Sequence, residues 1–132
     1  MAEIEKMKER IIDCLKDQAK LFLQEMGEFY PFGTSIDKNN ELHPISVYME
    51  EEIPNVDKML IELEKGLSFY LKNGEYILAA LCVEVFISKN GNKMDAIQIR
   101  FFDKDNQIGT YNYFYRIENK DVVIDKDVYQ IA

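Results

Sequence analysis

ILAALCVEVFISKNGNKMDAIQIRFFDKDNQIGTYNYFYRI, from Ile77 to Ile117, decides the fold. It reads as three consecutive β-strands joined by two polar turns. In the first, Ile77–Ser88, one face carries Ile77, Ala79, Leu81, Val83, Val85 and Ile87, and the other carries Leu78, Ala80, Cys82, Glu84 and Phe86. A strand apolar on both faces belongs in the middle of a sheet. Lys89-Asn90-Gly91-Asn92-Lys93 turns the chain into Met94–Asp103, where Ile97, Ile99 and Phe101 face inward and Gln98 and Arg100 outward. Asp103-Lys104-Asp105-Asn106 turns it again into Gln107–Ile117. Pairing Val85 with Ile97 or Ile99 brings apolar faces together through an odd-length loop, and one such register sets Glu84 opposite Arg100 as a cross-strand ion pair. The tail Val122–Ile131 offers a further short strand.

Two helices precede this meander. Ile4, Met7, Ile11, Leu15, Ala19, Phe22 and Met26 recur at spacings of three and four, one stripe of an amphipathic helix, widened by Ile12 and Leu23. Gly27 stands where a left-handed C-cap is expected. The second stripe is Val56, Met59, Leu60, Leu63, Leu67, Tyr70 and Leu71, with Asn55 as N-cap, Asp57 in the first turn and Lys72 then Gly74 at the end. Gly66 in mid-helix suggests close packing against another element. Between the helices, Lys38-Asn39-Asn40-Glu41 reads as the turn of a hairpin, and Pro44 assigns its second strand to a sheet edge.

The expected architecture is a single α+β domain over residues 1–132, in the order α-β-β-α-β-β-β. Two helices pack on one face of a mostly antiparallel sheet, the face carrying Ile97, Ile99 and Phe101. A hydrophobic fraction of 47% is that of a packed globular chain. The N-terminal segment lacks the pattern of a signal peptide, and the apolar run Ile77–Ile87 is too short to span a bilayer, so a soluble cytoplasmic protein is expected. Cys14 and Cys82, one on a helix and one in a strand, read as buried apolar residues and not as a disulfide.

Net charge is −8 and unevenly placed: residues 28–75 carry four bases against ten acids, including Glu50, Glu51 and Glu52 in succession. Such a chain repels phosphates, which argues against nucleic-acid or anionic-membrane binding and suits either a basic partner or simply solubility.

The chemical motifs are sparse. An EF-hand loop starting at Asp103 would need Gly and Glu where Ile108 and Phe114 stand, so Asp103-Lys104-Asp105 reads as a turn. His43 is the only histidine, without Cys or a carboxylate pair beside it in sequence, so no metal or other cofactor is expected. Glu84, Arg100 and Asn112 are expected to share one sheet face. Tyr111, Tyr113 and Tyr115 alternate onto one face, either under the helices or as an interface.

Gly27-Glu28-Phe29-Tyr30-Pro31-Phe32-Gly33, an acidic helix, Ala79-Ala80-Leu81 opening one strand and Asp95-Ala96-Ile97 opening the next together resemble a group of small uncharacterised bacterial proteins. In that group a GEFYPFG-like opening and a DAI-like strand recur at similar spacing. The resemblance spans roughly residues 20–115 and implies a shared fold, with no catalytic residues to carry over. The chain departs from the group at Tyr113-Phe114-Tyr115-Arg116, where a strand ending in Pro-Tyr is usual.

The functional expectation is a non-enzymatic, protein-binding domain of the immunity-protein or chaperone kind. Glu50, Glu51, Glu52 and Asp57 would steer a basic partner and Tyr48 would anchor it. The alternative is a small-molecule binder or modest enzyme with a pocket between helices and sheet, its polar groups being Glu84, Arg100 and His43. Self-association through a sheet edge or face is compatible with either.

Overall fold

Ala2–Met26 forms one helix, α1, in a computed structural model that describes residues 2–47, 49–50 and 53–129. Its stripe buries Ile11, Leu15, Ala19 and Leu23, while Ile4 and Met26 at its two ends stay exposed. Gly27, at φ 77°, ends it in the left-handed cap that its sequence position predicts. Two short strands follow, β1 (Phe32–Asp37) and β2 (Leu42–Ile45). The second helix, α2 (Val56–Lys72), opens with the Asn55 side chain accepting the Lys58 N–H at 3.1 Å. Four strands complete the chain: β3 (Tyr76–Lys89), β4 (Asn92–Phe102), β5 (Gln107–Glu118) and β6 (Asp121–Ile124).

The six strands form one antiparallel, curled sheet in the order β2-β1-β3-β4-β5-β6. The element order is therefore α-β-β-α-β-β-β-β, one strand longer than the sequence reading. The extra strand, β6, follows a tight turn in which Asn119 and Lys120 both adopt positive φ, 49° and 71°. Without a glycine there, the turn is hard to read from sequence. Past β6 the backbone returns to β5, where the Tyr129 N–H donates to the Asn112 carbonyl at 2.7 Å. The last residues of the expected tail strand lie outside the described residues. Pro44 sits in edge strand β2, and β3 sits inside the sheet, as read.

The β3–β4 register differs from the expected one. Asn90 and Gly91, at φ 53° and 80°, make a two-residue turn, so Lys89 faces Asn92. An even loop shifts every pair: Val85 faces Ala96, Glu84 faces Ile97 and Arg100 faces Leu81. The proposed Glu84–Arg100 pair does not form. Because side chains alternate across a strand, the two residues project from opposite sides of the sheet.

The helices are likewise not on one face. Ile11, Leu15 and Ala19 of α1 cluster with Leu78, Ala80, Cys82, Ile97, Ile99 and Phe101. Leu63, Leu67 and Leu71 of α2 cluster with Ala79, Leu81 and Phe102. Alternation along β3 places these two sets on opposite faces. The double apolar face of β3 follows directly, since each side has a helix to bury it. Each fully buried Leu or Ile contributes about 2 kcal/mol relative to an exposed one.

Two glycines have contrasting roles. A Cβ on Gly33 would stand 2.4 Å from the Ala80 carbonyl oxygen, so β1 approaches β3 as closely as it does only with glycine there. A Cβ on Gly66 would meet nothing within 4 Å, which removes the expected close packing at that position.

Candidate functional site

Four groups of side chains on this scaffold bear on function, and the sequence-predicted residues are distributed among them. The first borders α2. Glu50 and Asp57 are exposed on the approach to the helix and in its first turn; Tyr48, Glu51 and Glu52 lie outside the described residues. Ile53 is 83% exposed, Val56 45% and Ile61 53%. Ile61 projects from the side of α2 away from its buried stripe Met59-Leu63-Leu67-Leu71, whereas Val56 begins the helix and Ile53 precedes it. Val47, Met49, Lys58, Ile61 and Glu62 line a groove of about 480 Å³ there. Ile61 also borders a second groove of about 400 Å³, which runs from α2 to the Asp103–Asn106 turn.

The second group is centred on Glu84, on the α1 side of the sheet. Its carboxylate accepts the Phe29 backbone N–H and, at 3.3 Å, the Tyr115 hydroxyl. Phe29 belongs to a cluster with Phe22 and Phe32, at ring centroid distances of 6.4 and 5.4 Å. Burial against this apolar wall pushes the Glu84 carboxyl above the usual range. The two donated hydrogen bonds pull the other way, and the negative charges of Glu28 and Asp95 add to the rise. Tyr115 is raised as well, chiefly by burial and then by Glu84.

On the opposite face lies the third group. Arg100 Nε donates to Gln98 Oε1 at 2.7 Å, and Gln98 Nε2 donates to Asn112 Oδ1 at 3.0 Å. This chain satisfies the buried Asn112 and the half-buried arginine. Glu84, Arg100 and His43 therefore do not converge on one pocket, and Glu84 does not share a face with Arg100 and Asn112.

The tyrosine ladder Tyr111-Tyr113-Tyr115 faces α1. Tyr113 is buried, with Lys16 Nζ 3.7 Å from its ring centroid, and the Tyr111 hydroxyl lies 3.4 Å from Lys8 Nζ. The ladder underlies the first helix and its lysine stems.

The fourth group was not legible as a unit in the sequence. Asp37 ends β1, Glu41 precedes β2 and His43 lies within β2, so the hairpin folds all three together. His43 Nε2 is 2.5 Å from Asp37 Oδ2. Asp37 Oδ1 accepts the backbone N–H groups of Asn39 at 2.8 Å and Glu41 at 3.0 Å. The Glu41 N–H, then the His43 side chain, hold the Asp37 carboxyl below the usual range. One ligating atom each from Asp37, Glu41 and His43 lie within 4.8 Å of one another. The spacing Asp37, Glu41, His43 across a polar turn was the available signal, hidden by the assumption that His43 stood apart from carboxylates.

Comparison of the chain with protein families, curated proteins and solved structures finds no significant match. Among the described residues, no helix is long and apolar enough to cross a membrane.

Proposed function

We propose that this chain is a small bacterial cytoplasmic domain of the immunity-protein or chaperone kind, which binds a basic protein without catalysing a reaction. The contact surface is the approach to α2 together with the outward side of that helix. One observation carries the reading: the segment that enters and begins α2 leaves Ile53, Val56 and Ile61 exposed, and it also carries the exposed acids Glu50, Asp57 and Glu62. Apolar side chains in water within an acidic rim have the composition of a protein interface, where burial supplies affinity and charge supplies steering. By sequence, Tyr48, Glu51 and Glu52 belong to the same segment and add an aromatic anchor and further negative charge.

Affinity capture from the native host's lysate, at low and at high salt, tests this reading. The expected result is one basic protein retained at low salt and diminished at high salt, since rim charges are screened. Retention that ignores salt, or capture of acidic proteins only, would reject a basic partner. Capture of further copies of the same chain would replace it with self-association.

A further inference from the structure

We propose that the β1–β2 hairpin is a binding site for a first-row divalent transition-metal ion, held by Asp37 Oδ2, a Glu41 carboxylate oxygen and His43 Nε2. This inference is independent of the partner surface on α2.

The three donors come from three positions of one hairpin, and their ligating atoms already lie within 4.8 Å of each other. Ligands of one tetrahedral ion at ordinary bond lengths stand about 3.4 Å apart. The Asp37–His43 pair, now at 2.5 Å, would open by roughly 1 Å to admit an ion between its two facing atoms. Glu41, on the exposed turn, supplies the third oxygen by a side-chain rotation.

What distinguishes this group from a chance surface cluster is how its members are held. Asp37 Oδ1 is occupied by two backbone N–H groups, which leaves Oδ2 aimed at the imidazole. The His43 carbonyl accepts hydroxyls from Thr34 at 3.0 Å and Ser35 at 3.3 Å, and its ring stacks on Tyr76 with centroids 6.3 Å apart. Arg10 of α1 donates to the carbonyl and the side-chain oxygen of Asn40, tying the turn to the body of the protein. Supported ligands of this kind lose little freedom when an ion arrives.

The donor set selects the class of ion. An imidazole with two carboxylates suits Zn²⁺, Co²⁺, Fe²⁺ or Mn²⁺, whereas Ca²⁺ and Mg²⁺ prefer sites made only of oxygen. Three protein ligands leave coordination positions for water or a small anion.

The test is titration of the full chain with Co²⁺, followed by visible absorption and by amide NMR, with Zn²⁺ as competitor. The expected result is saturable d–d absorption at a single equivalent, displaced by Zn²⁺, with the amide changes caused by diamagnetic Zn²⁺ alone confined to residues 37–43 and Tyr76. Glu41→Gln and His43→Ala should each weaken Co²⁺ binding by roughly tenfold or more. Glu41→Gln changes an exposed side chain, so retained thermal stability in that variant separates lost ligation from lost folding. No absorption up to millimolar Co²⁺ would overturn the proposal. So would binding unchanged in both variants, or a thiolate charge-transfer band that assigns the ion to a cysteine.

Discussion

At Glu84 two opposing influences meet on one carboxylate, and their balance has a measurable consequence. Burial raises its proton affinity in the folded chain, while the Phe29 N–H and Tyr115 hydroxyl favour the charged form without cancelling that effect. The native state then binds this proton more tightly than the unfolded chain does, so the contribution of Glu84 to stability falls as pH rises from its ordinary value of 4.5. Glu84→Gln should remove that slope: the difference in melting temperature, variant minus wild type, should grow between acid and neutral pH. A constant difference would mean that Glu84 titrates alike in both states. The glycines give a second contrast at this scale. Gly66→Ala should stabilise the chain by about 1 kcal/mol, because the added methyl meets open space in a helix. Gly33→Ala should destabilise it by about 3 kcal/mol, because its Cβ would press on the Ala80 carbonyl. Urea denaturation of both variants reads the sign directly.

Single elements were more legible than their pairing. Both helices, with their caps at Gly27, Asn55 and Gly74, follow from stripe spacing and terminal residues. Register was legible but misread: Asn90-Gly91 favours a two-residue turn with positive φ at both positions, as found, 53° and 80°, and not the odd-length loop expected. That single choice moves Glu84 and Arg100 to opposite faces. The position of α2 was implied by β3 itself: a strand apolar on both sides requires cover on both sides. β3 therefore shields its thiol fully. Cys82 is 0% exposed, and burial raises its thiol well above the ordinary range, while Cys14 on α1 is half-buried. A thiol-reactive chromophore should titrate Cys14 alone in the native protein and both cysteines in denaturant. Rapid native labelling of Cys82 would contradict the placement of β3 between two helices.

On the scale of the whole molecule, the sheet divides the chemistry. The α1 face holds the tyrosine ladder and Glu84, the α2 face holds the Arg100-Gln98-Asn112 chain, and the β1–β2 hairpin gathers Asp37, Glu41 and His43 at one edge. The acidic excess of residues 28–75 was plain in the sequence, but the exposed Ile53, Val56 and Ile61 beside it were not. Val56 falls on the same side of α2 as Met59, Leu63 and Leu67 and so reads as a core residue, but as the first residue of the helix it stands 45% exposed. This acidic, apolar-bearing approach to α2 is the proposed binding surface for a basic protein. Its most direct test is the affinity of a captured partner for wild type, for the charge reversal of Glu50, Glu51 and Glu52 to Lys, and for Ile61→Ser. Binding should fall by roughly tenfold or more in each variant, with melting temperature retained and the salt dependence reduced in the charge reversal. Affinity within about twofold of wild type in both variants would place the interface elsewhere and contradict the claim.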